Sequence, residues 1–294
     1  MTGSRLAGRV TALFVCLATV GGAYAAPAIP GDLANYKAVE TTPVVVFGKN
    51  SRKTVEDFAA AHQLDAAALR KRHAASGLVI CGRAHGAGQL TLANNVITTA
   101  SHVFFDEMGK PRAETCRFEI VDDGATVSVG IDMKSIVAGT KDPYSLPAVH
   151  DWAVARLELP LVGPRPYDLA DKADAADPVE FVARGHIDWG QAHHLSLEAC
   201  KLHDQLNKSV EGTREFSMDC ETGDGASGGA LFDEATGTDK LCGVLVGYRS
   251  IRPWSALPFS SQHYNFIVTV EGAFRDAVTA MAQPKVAGAD TTLH

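Results

Sequence analysis

Residues 223–229 read Gly-Asp-Gly-Ala-Ser-Gly-Gly, the densest glycine cluster of the chain, with Ser227 inside it. A serine hydroxyl is a weak nucleophile until a base takes its proton and a third group orients that base. Two upstream stretches supply those groups. Residues 96–103 read VITTASHV, a β-like run ending on His102, and residues 150–157 read HDWAVARL, with Asp151 at the mouth of an apolar strand. Base, acid and nucleophile follow as His102, Asp151, Ser227, one of the chain orders in which a Ser-His-Asp constellation occurs. Successive glycines let backbone N–H groups turn toward one point, so the amides of Gly225 and Ser227 are expected to hold the oxyanion of acyl transfer. Asp132 and Asp142 are weaker candidates for the acid, because neither opens an apolar run.

The same cluster fits two other patterns. Gly223, Gly225 and Gly228 have G-x-G-x-x-G spacing, but a dinucleotide site needs that motif between a strand and a helix. A β-like run, Ala230 to Phe232, follows instead. Gly225 to Gly229 also fits the G-x-S-x-G elbow of α/β-hydrolases, in which an acid and then a histidine follow the serine. Downstream, only His263 and His294 are available, with no parallel β/α series around them.

The elements that must position these residues are mostly strands. From Leu78 onward, short β-branched or alternating runs (LVICGR, NVITTA, RFEIV, WAVARLEL, PVEFVARG, KLCGVLVGY, YNFIVTV) are separated by Gly, Asn and Asp-Gly turns. That pattern predicts an all-β barrel or sandwich. Residues 160–174, with three prolines, read as a linker between two β units. Thr54 to Ala75 reads as one helix or two: Thr54 and Asp57 have capping-box spacing, and Val55, Phe58, Ala59 and Leu64, Ala68, Leu69 fall at 3.6-residue spacing. Gly77 is its expected stop. Residues 271–281 predict a terminal helix with Ala273, Phe274, Ala277, Val278 and Met281 on one face. The expected organisation is a signal peptide (1–25), a helical extension or prosegment (26–77), β units over 78–165 and 166–270, and a terminal helix and tail (271–294).

The ends and the composition narrow the class. Arg5 and Arg9, the apolar run Val10–Val20 and the A-x-A at Ala23–Ala25 form the three parts of a secretory signal peptide. The run is too short to span a bilayer comfortably, so a secreted or periplasmic protein without a stable membrane anchor is expected. Among 294 residues the formal net charge is −7, which argues against nucleic acid as the main partner. Five cysteines follow the signal-like segment: Cys81, Cys116, Cys200, Cys220 and Cys242. Pairing near neighbours gives Cys81–Cys116 and Cys200–Cys220. Cys242, in an apolar run, is then left as a small buried hydrophobe. With no C-x-x-C and no Cys/His cluster at zinc spacing, neither a metal nor another cofactor is expected.

The motifs resemble those of trypsin-like serine proteases, in the exported bacterial style. Thr99-Ala100-Ser101-His102 is similar to their T-A-A-H, Asp151-Trp152-Ala153-Val154 to their D-I-A-L, and Gly225 to Leu231 to their G-D-S-G-G-P-L. Cys81-Gly82 is similar to their C-G. The resemblance covers roughly Leu78 to Met281. It implies two six-stranded antiparallel barrels with the triad in the cleft between them. His102 would be general base and then acid, Asp151 would hold its tautomer, and Ser227 would attack the peptide carbonyl. Protein or peptide substrates and a monomer are expected.

Four positions set against the family pattern bear on function. Val103 stands where many relatives have cysteine. Ala226 stands where animal trypsins have the aspartate that receives a new N-terminal amine, so activation of that kind is not expected. Bacterial glutamyl endopeptidases also lack that aspartate, but their glutamate-reading histidine falls near Leu245 here. Glu221, six residues before Ser227, falls where trypsins often place the base of the specificity pocket, and as such would favour Lys or Arg substrates; with Cys220 at a different offset from the family's cysteine, the other reading is a solvated loop glutamate. The rival reading from another class is a catalytically silent binding protein on the same fold.

Overall fold

The computed structural model describes residues 46–122, 124–189, 194–234, 240–253 and 255–283. The signal-like residues 1–25, His193 and His294 lie outside that set. The helical stretch resolves into two helices, α1 (Val55–His62) and α2 (Ala66–Arg72). The Thr54 hydroxyl accepts from Asp57 N (3.1 Å), as its capping spacing predicts. Gln63, at φ 57°, ends α1 in the left-handed conformation, and Asp65 then caps α2 through Ala68 N (2.7 Å). Gly77 is not the helix stop. The second helix ends at His73, and Gly77 sits in β1 (Ser76–Cys81), where a Cβ would strike Glu119 O and the Phe118 ring.

The first barrel is closed, with β2 (Ala84–Leu90), β3 (Val96–Thr99), β4 (Cys116–Asp122), β5 (Ala125–Ala138) and β6 (Ala153–Leu157) completing it in the order β1-β2-β3-β6-β5-β4. Ile97, Phe118, Ile120, Val154 and Leu157 are among its buried residues. The register of β3 on β6 sets Thr99 opposite Ala153. The continuation of β3 and the entry to β6, which carry His102 and Asp151, therefore meet at one end of the barrel.

The second barrel uses β8 (Pro178–Ala183), β9 (Ser196–Lys208), β10 (Arg214–Met218), β11 (Ala230–Asp233), β12 (Lys240–Ser250) and β13 (His263–Thr269). They run β11-β8-β9-β10-β13-β12, and pairing of β11 with β12 closes the ring. Phe181, Phe216, Met218, Leu231 and Ile267 form its interior. The predicted linker is strapped down: Tyr167 is buried and exchanges backbone hydrogen bonds with Leu90 and Leu92. Asp168–Leu169 (β7) adds to β12 in parallel.

Cys81–Cys116 and Cys200–Cys220 are bridged, and Cys242 is free and buried. Sequence separations of 35 and 20 residues correspond to about 4 and about 3 kcal/mol of loop-closure stabilisation. Helix α3 (Gly272–Ala282) buries Phe274, Val278 and Met281. The Phe274 ring stacks on Trp152 at 4.9 Å, and Arg156 Nη2 donates to Met281 O (2.6 Å). The terminal helix thus backs the strand that begins just after Asp151. No helix among the described residues is long and apolar enough to cross a membrane.

Candidate active site

His102 sits in a single 3-10 turn, Ser101–Val103, directly after β3. Arg112 Nε donates to the His102 carbonyl (2.7 Å), and Ser101 Oγ donates to Thr140 O (2.5 Å), so the turn is held from both sides. Asp151 follows a second 3-10 turn, Ala148–His150, and is 3% exposed. One carboxylate oxygen accepts from His102 N (2.9 Å) and the other from His102 Nδ1 (2.7 Å). This double contact fixes both the position and the tautomer of the ring: the Nδ1 proton faces the acid, and the Nε2 lone pair is left for a proton from elsewhere. Burial pushes the Asp151 carboxyl above its ordinary range, against the opposing pull of the His102 charge and hydrogen bonds. A carboxylate dried in this way interacts more strongly with a protonated imidazole than one in water.

Ser227 is half-buried in the loop between Cys220 and β11. Its carbonyl accepts from Ala87 N (2.7 Å) in β2, while Gly228 N donates to Leu245 O (2.7 Å) in β12. The loop therefore bridges the barrels. A Cβ on Gly86 would stand 2.6 Å from Val103 Cγ2 and 2.7 Å from Ser227 O, so the residue after His102 and the serine backbone flank one glycine. A Cβ on Gly228 would collide with Ala87 O and Thr99 Oγ1, and would lie 3.0 Å from Ala100 N. The strand position facing Val103 is thus Gly86. Cys81-Gly82, read as the family's C-G, lies instead at the β1–β2 turn with Cys81 bridged to Cys116. The structure brings His102 and Asp151 into direct contact and Ser227 to the same strand ends. Among the described residues no hydrogen bond joins Ser227 Oγ to His102. Catalytic contacts of this kind commonly close only when substrate is bound.

Gly225 adopts φ +88°, a backbone conformation that side chains resist. A Cβ there would fall inside the Gly185 carbonyl and 2.8 Å from His85 Nε2. The neighbouring turn is fixed by Ala226 N to Gly223 O (3.1 Å), Gly229 N to Ala226 O (2.9 Å) and Ile187 N to Asp224 O (2.8 Å). The amides of Gly225 and Ser227 have no hydrogen-bond partner among the described residues. Two such N–H groups beside a serine are suited to an anionic oxygen.

Glu221 is not the base of an open pocket. It is 2% exposed, and its carboxylate accepts from the backbone amides of Phe47 (3.1 Å) and Ser51. Oxygens engaged in that way are closed to a substrate Lys or Arg. Leu245 is buried. His263 bonds Ser250 Oγ through Nδ1 (2.7 Å) and is also buried. Asp132 lies in β5, where it accepts from Lys134 N (3.1 Å). His194 is exposed. Among the described residues no group of three or more His, Cys, Asp or Glu side chains is placed to hold a metal ion.

Sequence reasoning missed three neighbours of the site. His85 Nε2 donates to Gly185 O (3.0 Å) and so holds the segment that faces Gly225. Arg112 reaches from the His102 carbonyl to Tyr144 OH (2.7 Å), and the Tyr144 ring lies 5.9 Å from that of His102. None belongs to a motif; each is recruited by the fold.

The family model for the trypsin-like peptidase domain matches residues 75–244. The chain belongs to the trypsin-like peptidase family. It is accordingly a serine endopeptidase, a hydrolase of the two-barrel type. Among solved structures, a Glu endopeptidase in complex with MPD superposes with a TM-score of 0.59 at 14% identity, covering 81% of this chain and 99% of that one. At that identity the likeness is one of fold. Deg5 (TM-score 0.47, 15% identity, 73% of this chain and 90% of that one) and neuropsin of mouse brain (0.49, 14%, 72% and 94%) lie further off. No curated protein matches the peptidase.

Proposed function

We propose that this peptidase is exported and cleaves peptide bonds in proteins or peptides through Ser227, His102 and Asp151. Ser227 Oγ attacks the scissile carbonyl carbon while His102 Nε2 takes its proton. The carbonyl oxygen becomes an oxyanion held by the Gly225 and Ser227 amides. As the C–N bond breaks, His102 returns the proton to the leaving amine, and the acyl group stays on Ser227 as an ester. Water then attacks that ester with His102 again as base, releasing the acid and restoring the serine. Asp151 keeps the ring in the required tautomer and stabilises the imidazolium formed in each half-reaction.

The observation that carries this reading is the His102 ring held by Asp151 at both N and Nδ1, with Nε2 free, beside a glycine loop whose two amides are unengaged. The signal-like residues 1–25 and the two disulfides support export, since such bridges persist in oxidising compartments. The buried His73–Glu180 pair (2.6 Å) and the burial of Val55, Phe58 and Leu69 support a helical extension that stays on the mature enzyme. The test is labelling of folded, exported protein with a fluorophosphonate probe, followed by cleavage of a peptide library. Labelling lost in Ser227→Ala supports the mechanism. A folded wild type that neither labels nor cleaves would favour the silent binding protein.

A further inference from the structure

Residues 46–53 lie before the first helix and outside the matched family domain, yet they touch the nucleophile loop from two sides. On one side, the Phe47 and Ser51 amides donate to Glu221, and the next residues along the chain are Thr222 and the loop itself. Glu221 N donates to Glu198 Oε2 (2.6 Å), and Ser51 Oγ donates to Glu198 Oε1 (2.5 Å), so two buried carboxylates are bound to the segment together. On the other side, Arg52 Nη1 donates to His186 Nδ1 (2.8 Å). An arginine only donates, so His186 accepts at Nδ1 and carries its proton on Nε2, toward Ser196 Oγ (2.6 Å). The next residue, Ile187, donates to Asp224 O (2.8 Å), which precedes Gly225. Two backbone bonds between Lys53 and Leu197 (both 2.9 Å) fasten the segment to β9, and Phe47 packs edge-on against Phe259 and His263.

We propose that the segment from Phe47 to Lys53 sets the nucleophile loop, with Glu221 as the positioning residue that couples the two, so that the active peptidase retains this segment. The inference rests on the Ser227 reading above. Ala226 stands where a charged partner for a new N-terminus would be, and an internal stretch of chain does the equivalent work through backbone amides. Removing it would strip Glu221 of its Phe47 and Ser51 amide donors and Glu198 of the Ser51 hydroxyl, leaving Glu198 the Glu221 amide. Uncompensated buried carboxylates are costly, so the loop between residues 221 and 225 would shift. The groups facing Glu198 are Glu221, Ser51 and the Arg52 guanidinium, with neutral His186 beyond. Burial, reinforced by the Glu221 charge, pushes the Glu198 carboxyl up to about 8. Its ionisation therefore introduces a second negative charge beside Glu221 on the alkaline side.

The experiment takes full-length, exported protein through fluorophosphonate labelling, steady-state kinetics against pH, and intact mass of the labelled species. Glu221→Gln replaces one accepting oxygen with a donor. Its kcat is expected to fall about tenfold to a hundredfold, less than the roughly 10²–10³ of a donor removed outright, with KM within about threefold. Glu198→Gln, which stays neutral, should lose an alkaline decline in kcat centred near the wild-type Glu198 value of about 8. Labelled protein should begin before Val46. Wild-type kcat in a folded Glu221→Gln, or labelled protein that begins after Lys53, overturns the inference. The mass measurement decides even if Glu221→Gln fails to fold. Labelling that survives Ser227→Ala would instead overturn the catalytic reading and this inference with it.

Discussion

Gly225→Ala is the substitution for which the structure gives the sharpest expectation. Two costs are separable. The first is conformational: at φ +88° an alanine pays about 1–2 kcal/mol for the left-handed backbone. The second is spatial: the new methyl would collide with the Gly185 carbonyl, which is main chain, and approach the His85 side chain at Nε2 to 2.8 Å. The loop must move away from Gly185, carrying the Gly225 amide off the point at which the Ser227 amide also aims. Loss of one oxyanion donor costs about 10²–10³ in kcat. Gly124→Ala supplies the control, since Gly124 has φ +79° with nothing within 4 Å of the added methyl, in the β4–β5 turn. It should lose stability comparable to the conformational cost alone and keep wild-type kcat. The assay is kcat and KM on an activated ester, with thermal melting for both variants. A cooperatively folded Gly225→Ala within about threefold of wild-type kcat would refute the oxyanion assignment.

Other expectations follow from the same contacts. Asp151→Asn should lower kcat by about 10⁴ with the fold intact, because an amide nitrogen facing Nδ1 selects the wrong imidazole tautomer; near-wild-type turnover would count against the triad. Glu198 holds its proton in the folded state up to about 8, against an ordinary value of 4.5. Its contribution to stability is therefore full below about pH 4.5 and is lost as the pH rises toward 8, at up to about 1.4 kcal/mol per pH unit. Urea midpoints from pH 5 to 8.5 should show that decline, and Glu198→Gln should flatten it. Cys242 is buried, with its thiol pushed up by burial. Signal-processed protein should accordingly show no reactive thiol until it is denatured, and then one. Replacing Cys200 and Cys220 by serine should cost about 3 kcal/mol by denaturant titration.

The parts of this molecule that could be read from its sequence are those governed by local backbone demands. Strands announce themselves by alternation, and Thr54 by its spacing from Asp57. The 223–229 loop is marked by glycines that collide with Gly185, Ala87 and Thr99 if given a side chain. Near-neighbour pairing also found both disulfides: Cys81 faces Cys116 at the ends of β1 and β4, and Cys200 within β9 joins Cys220 just past β10. What stayed hidden depends on contacts distant along the chain. Glu221 sits at an offset that suggests a specificity pocket. Its environment is set by amides 174 and 170 residues away, in a segment that carries no motif. Arg112, Tyr144 and His85 were invisible for the same reason.

This asymmetry has a mechanistic consequence. The close backbone approach of Ser227 to β2 and of Gly228 to β3 and β12 leaves little freedom at the serine itself, because glycines there bring main chain against main chain. Further up the loop, at Glu221 to Gly225, main-chain contacts (Ile187 N to Asp224 O, and Gly225 against the Gly185 carbonyl) are joined by side chains: Glu221, Glu198, Arg52 and His186. Main-chain contacts between barrels do not titrate, whereas carboxylates and a histidine can respond to pH and to substitution. The Ser227 end of the loop is thus held through main chain, and the Glu221 end depends in addition on groups that titrate or can be substituted. Substitutions around residues 46–53 should accordingly act on kcat through the oxyanion site before they act on the His102–Asp151 pair.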